Sequence, residues 1–97
     1  MNTPHAQAVL FLSDVLTAAG HSVISACTDE RTEPQIFAQS ESGELAFYFM
    51  RADAPDPDPE TLSRFRALAA KHAVAAYYAP VTLSPEPRAL PFRALQS

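Results

Sequence analysis

Ninety-seven residues with an apolar share of 47% make one domain, numbered 1–97, and exclude both a two-core chain and disorder throughout. The net charge of −4 disfavours nucleic acid as the main partner, because phosphate-backbone affinity comes from clustered Lys and Arg. The one cysteine, Cys27, rules out an intramolecular disulfide and fits a reducing, cytoplasmic setting. Nothing reads as a secretory leader, since no basic residue precedes Ala8–Leu12 and Ser13-Asp14 interrupts that apolar run. No stretch reaches the roughly 18 apolar residues of a membrane span, so no membrane partner is expected.

Thr3-Pro4 opens a helix as N-cap and first helical residue, and Gly20 closes it. At helical spacing Ala8, Val9, Phe11, Leu12, Val15, Leu16 and Ala19 share a broad apolar face. Leu10 falls on the polar side, as either a lone exposed leucine or a partner contact. Residues 22–27 read as a strand, and 28–34 as a polar loop. A hairpin follows: Gln35–Gln39, a turn at 40–43 in which Gly43 supplies the positive φ, then a strand over 45–51.

Residues 52–59 interleave Asp53, Asp56 and Asp58 with Pro55, Pro57 and Pro59. Three close carboxylates suggest a metal site. The alternating extended geometry and the absence of glycine favour a linker instead, with Asp58 capping the next helix and Pro59 starting it. That helix is expected over 59–72, with Leu62, Phe65, Leu68, Ala69 and His72 on one face and Arg64 and Lys71 on the other. Residues 74–79 form the next strand. Pro80 ends it, bulges it or puts it on an edge, and 81–83 is a possible continuation. The core then spans about 4–83. The proline-rich tail, 84–97, docks through Phe92 and Leu95 as an irregular segment or a short edge strand.

The fold class expected from this order is α/β: a mixed β-sheet flanked by two helices, order αβββαβ. The hairpin is antiparallel, and the strands on either side of the second helix are parallel. This succession resembles the core of the restriction-endonuclease-like fold, the PD-(D/E)XK superfamily with its Holliday-junction-resolvase-like members. Local cadence adds to the resemblance, over roughly residues 5–83. Ala19-Gly20-His21-Ser22-Val23-Ile24 is similar to the passage from first helix to first strand. Glu33-Pro34-Gln35-Ile36 resembles the Pro-Asp step opening the second strand. Gly43–Arg51 resembles the strand that ends in Glu-x-Lys.

The resemblance implies a site with one or two Mg²⁺ ions on an Asp and a Glu, beside a Lys. Here those positions hold Gln35, Phe49 and Arg51. An amide and a benzyl group are not magnesium ligands, and Arg51 does not deprotonate. No catalytic residue, metal or cofactor is therefore assigned. Cys27 with His21 or His72 has the residue types of a nucleophile and base, but a cysteine in an apolar strand reads as packing.

The leading functional reading is a non-catalytic protein-interaction or self-associating module on a nuclease-like scaffold. It would be a homodimer or bind a protein partner through Leu10, Tyr48, Tyr77 and Tyr78, with Met50 adding to the apolar strands. For any single one of the strand residues Tyr48, Met50, Tyr77 and Tyr78, ordinary core is the commoner reading. Two alternatives stay open. One is a nuclease relative with carboxylates relocated to Glu33, Glu44 or Asp53. The other is a non-cleaving nucleic-acid binder using Arg51, Arg64 and Lys71.

Overall fold

The computed structural model describes residues 3–29, 34–53, 55–84 and 86–95. In chain order the elements are α1 (Pro4–Ala18), β1 (Ser22–Ala26), β2 (Ile36–Gln39), β3 (Leu45–Ala52), α2 (Pro59–Lys71), β4 (Ala75–Thr82), β5 (Arg88–Ala89) and β6 (Arg93–Ala94).

Both helices start as the sequence dictates. The Thr3 hydroxyl accepts the Ala6 N–H at 3.1 Å, and Asp58 Oδ1 accepts the Thr61 N–H at 2.8 Å, each ahead of a proline. Both helices also end alike. In α1 the His21 N–H returns to the Leu16 carbonyl, and that of Gly20 to Thr17. In α2 the Val74 N–H returns to Ala69, and that of Ala73 to Ala70. This pairing needs a left-handed residue just past the cap. Gly20 takes it at φ 92° without cost, whereas Ala73 takes it at φ 56° against its own Cβ.

The sheet runs β1-β2-β3-β4-β5, with β6 also on β4. β1–β2 and β2–β3 are antiparallel; β3–β4 is parallel, with α2 as the crossover. The sheet is therefore mixed and flanked by two helices, as expected. The order αβββαβ is incomplete, because β5 and β6 follow β4 and pair antiparallel to it.

The reason β4 runs on is visible at Pro80. It stays within the strand opposite Arg51 of β3, and its carbonyl accepts the Leu90 N–H from the tail at 3.0 Å. The N–H that proline lacks would have pointed the same way, and there the tail ladder breaks into β5 and β6. The proline is absorbed by a bulge in its neighbour.

Two apolar clusters lie on opposite sheet faces. Ala8, Val9, Leu12 and Leu16 of α1 pack on Ile36, Ala38, Ala46, Tyr48, Met50, Ala79 and Val81. Phe65 and Ala69 of α2 pack on Phe47, Phe49 and Ala76. The even residues of β3 face α1 and the odd ones face α2, the period of two that a strand imposes. Each large side chain removed from water contributes about 1.5–3 kcal/mol.

Candidate functional site

The positions singled out by the nuclease resemblance converge. Gln35 lies one residue before the Ile36–Tyr48 pair, and so stands across from Phe49. Arg51 is two residues further along β3, on the same α2-facing side. Chain topology thus brings Gln35, Phe49 and Arg51 to one place on the sheet.

Each of the three has a structural task there. Gln35 is buried, 1% exposed. Its Oε1 accepts the Met50 N–H at 2.8 Å, while its carbonyl accepts the Cys27 N–H at 2.8 Å. On the β3 side the backbone register of β2 ends at the Ile36–Tyr48 pair, and the amide continues the pairing there. Phe49 is fully buried and stacked on Phe65, with ring centroids 4.2 Å apart and planes at 12°. Arg51 donates to the Met50 carbonyl at 3.1 Å, and its guanidinium carbon lies 5.2 Å from the Phe65 centroid.

The candidate replacement carboxylates are dispersed. The Glu44 carboxylate accepts the Tyr77 hydroxyl at 3.1 Å, and Tyr77 packs in the α1-side cluster, across the sheet from Phe49. Asp53, at φ 48°, accepts the Leu83 N–H at 3.2 Å and ties the end of β3 to the end of β4. Glu33 lies outside the described residues. The other linker aspartates also have separate partners: Asp58 caps α2, and Asp56 Oδ2 meets Arg93 at 3.4 Å. Among the described residues no three metal-ligating side chains share a site.

The candidate interaction residues divide. Leu10 is 47% exposed on the outer side of α1. Tyr48 and Tyr78 are buried and offer no surface, whereas Tyr77 is half-buried and stacked on Tyr48 at 5.3 Å. Burial, with the Tyr77 and Glu44 charges beside it, pushes the Tyr48 phenol up to about 12. Burial also raises the Tyr77 and Tyr78 phenols; at Tyr78 the Asp56 charge adds to it, while Arg51 and Arg93 oppose it. Cys27 falls just after β1 and is half-buried, so the expectation of a cysteine inside the strand is off by one residue. His72, expected on the apolar face of the second helix, is the C-cap of α2 and exposed, with its ring edge-on to Phe47 at 5.4 Å.

Surface apolar residues that the sequence did not single out are Ile24 (53% exposed), Leu45 and Leu90. Ile24 sits where β1 slips register against β2, at the outer edge of the sheet. Alternation on β1 gives no hint of it, because the bulge shifts the phase there.

No family model matches this sequence, and no curated protein matches it either. No helix among the described residues is long and apolar enough to cross a membrane.

Proposed function

We propose that this chain is a non-catalytic interaction module that self-associates, built on a scaffold like that of the restriction-endonuclease-like nucleases and working in the cytoplasm. The observation that carries the non-catalytic reading is the Gln35 amide, buried opposite Phe49 and bonded to the Met50 N–H. A position that would hold a metal carboxylate is spent on closing the sheet, and its neighbour is spent on a ring stack. The relocated-carboxylate alternative loses support from Glu44 and Asp53, which point to different partners on different parts of the sheet.

Self-association is supported by what remains open. Among the described residues β1 pairs on one side only and exposes most of its residues, and Ile24 and Leu10 add apolar surface. A second copy is the commonest cover for such a surface in a small domain. The test combines two measurements. Purified protein with Mg²⁺ or Mn²⁺ is incubated with single-stranded, duplex and branched DNA, and light scattering is followed across a dilution series. No cleavage and a dimer mass are expected. Cleavage lost on Arg51→Ala would overturn the first half, and a monomer mass up to about millimolar the second.

A further inference from the structure

The α2 side of the sheet carries a second feature that the interaction reading does not use. Phe65 stacks on Phe49; Phe49 neighbours Tyr78 in register, and Tyr78 neighbours Arg93. Three guanidinium groups lie over this aromatic platform. Arg51 and Arg64 are 5.2 and 5.7 Å from the Phe65 centroid, and Arg93 is 5.1 Å from that of Tyr78. Three of the seven Lys and Arg residues of an acidic chain thus lie over two rings on this side of the sheet.

Two observations point to an absent ligand. The Tyr78 hydroxyl is fully buried and has no hydrogen-bond partner. Phenylalanine would fill the same space, so the oxygen carries a desolvation cost that no contact within the fold offsets. The second is the linker that leads into α2. It is fixed at both ends, by Asp53 on Leu83 and by Asp58 on Thr61, and at its middle Asp56 reaches Arg93 at 3.4 Å. That pair is half-exposed or more at both ends, so it is weakly held.

We propose that Arg51, Arg93 and the Tyr78 hydroxyl form a binding site for a phosphate group, in which the Asp56 carboxylate stands in for the ligand. All three are hydrogen-bond donors, and guanidinium groups match phosphate oxygens in pairs. A phosphate rather than a carboxylate is the ligand because Asp56 is already a tethered carboxylate. A monoanion from solution competes poorly against an effective concentration in the millimolar range. A dianion brings the extra charge to displace it and gives the buried hydroxyl an acceptor.

The probe is inorganic phosphate, titrated into the whole chain and followed by amide chemical shifts, with acetate and a 5′-phosphorylated mononucleotide as further arms. Saturable phosphate binding is expected, with shifts at residues 56, 78 and 93 and no saturation by acetate. Equal affinity for both phosphates identifies the ion itself as the ligand. Tighter nucleotide binding identifies an esterified phosphate. Asp56→Asn should bind about tenfold tighter, because the tethered competitor is gone. Tyr78→Phe should bind about tenfold weaker while melting at a higher temperature. Arg93→Gln should lose binding. No saturation by about 10 mM phosphate, an unchanged affinity in Asp56→Asn, or parental affinity in Tyr78→Phe would each overturn the site. Tyr78→Phe and Asp56→Asn keep the packing intact, so the outcome does not depend on the folding of Arg93→Gln.

Discussion

Replacing Gln35 with Leu tests whether this amide is part of the sheet. Leucine nearly preserves the volume, but nothing then accepts the Met50 N–H. Residue 35 is 1% exposed and Met50 is fully buried, so water does not take the vacated place. A buried donor left unpaired costs about 1–3 kcal/mol. For a domain of this size each kcal/mol lowers the melting temperature by about 4–8 °C, so a fall of about 8–16 °C corresponds to the middle of that range. The internal control is Gln39→Leu. Gln39 also bonds a backbone group, through Nε2 to the Gly43 carbonyl at 3.1 Å, but at an exposed position. That change should stay within about 0.5 kcal/mol. Urea unfolding gives both differences, and amide exchange at Met50 gives a local reading, since its protection should drop in Gln35→Leu alone. A Gln35→Leu loss no larger than that of Gln39→Leu, with Met50 protection unchanged, would refute the assignment.

Further outcomes follow from other contacts. Phe49→Ala should cost about 3–5 kcal/mol by urea unfolding, because it empties the ring stack with Phe65; a loss under about 1.5 would show that the pair is peripheral. Ala73→Gly should stabilise the fold by about 1 kcal/mol, since it relieves the left-handed backbone past α2, and an unchanged melting temperature would show no strain there. Asp58→Ala should destabilise at neutral pH, through the lost N-cap. The Thr61 N–H holds the Asp58 carboxyl below its usual range, so its stabilisation is complete above about pH 4 and disappears as pH falls through the folded value. The penalty should therefore vanish in strong acid, and a pH-independent difference would count against the cap. Absorbance titration of the three tyrosines should show none ionising at the ordinary value and Tyr48 at about 12. A phenol raised in the fold stabilises it below about pH 10, and that stability is lost as pH rises through the folded value. Ordinary titration by all three would place them outside the core.

The parts of the fold that were legible in the sequence are those written locally. Thr3-Pro4 and Asp58-Pro59 announce both helix starts, and Gly20 announces one helix end. The β-prone runs around Gly43 give the hairpin, and the helix after it implies the parallel pair. The second helix end was less legible, because Ala73 adopts the glycine conformation without being glycine. β5 and β6 were hidden for another reason. Two-residue strands carry no periodicity, and they form because β4 offers an edge. At the candidate site, the sequence shows an amide, a benzyl group and a guanidinium at Gln35, Phe49 and Arg51, but not what they do there. Gln35 needs Met50, Phe49 needs Phe65, and the Asp56–Arg93 pair joins the linker to the tail. Arg93, in a proline-rich segment that reads as irregular, gives no local sign of lying over Tyr78.

The tail's place after β4 has a consequence for how the sheet closes. β1 to β4 and both helices are complete in sequence by Thr82, yet the outer edge of β4 is covered only by residues 88–94. Whenever those residues are off the sheet, the domain presents an open strand edge, on which Pro80 interrupts the row of N–H donors. A proline there makes the edge a poor template for a strand of another molecule, while the chain's own tail, with its bulge, fits it. The residue that breaks the ladder therefore also selects, among the strands that could close the sheet, the one belonging to the same molecule.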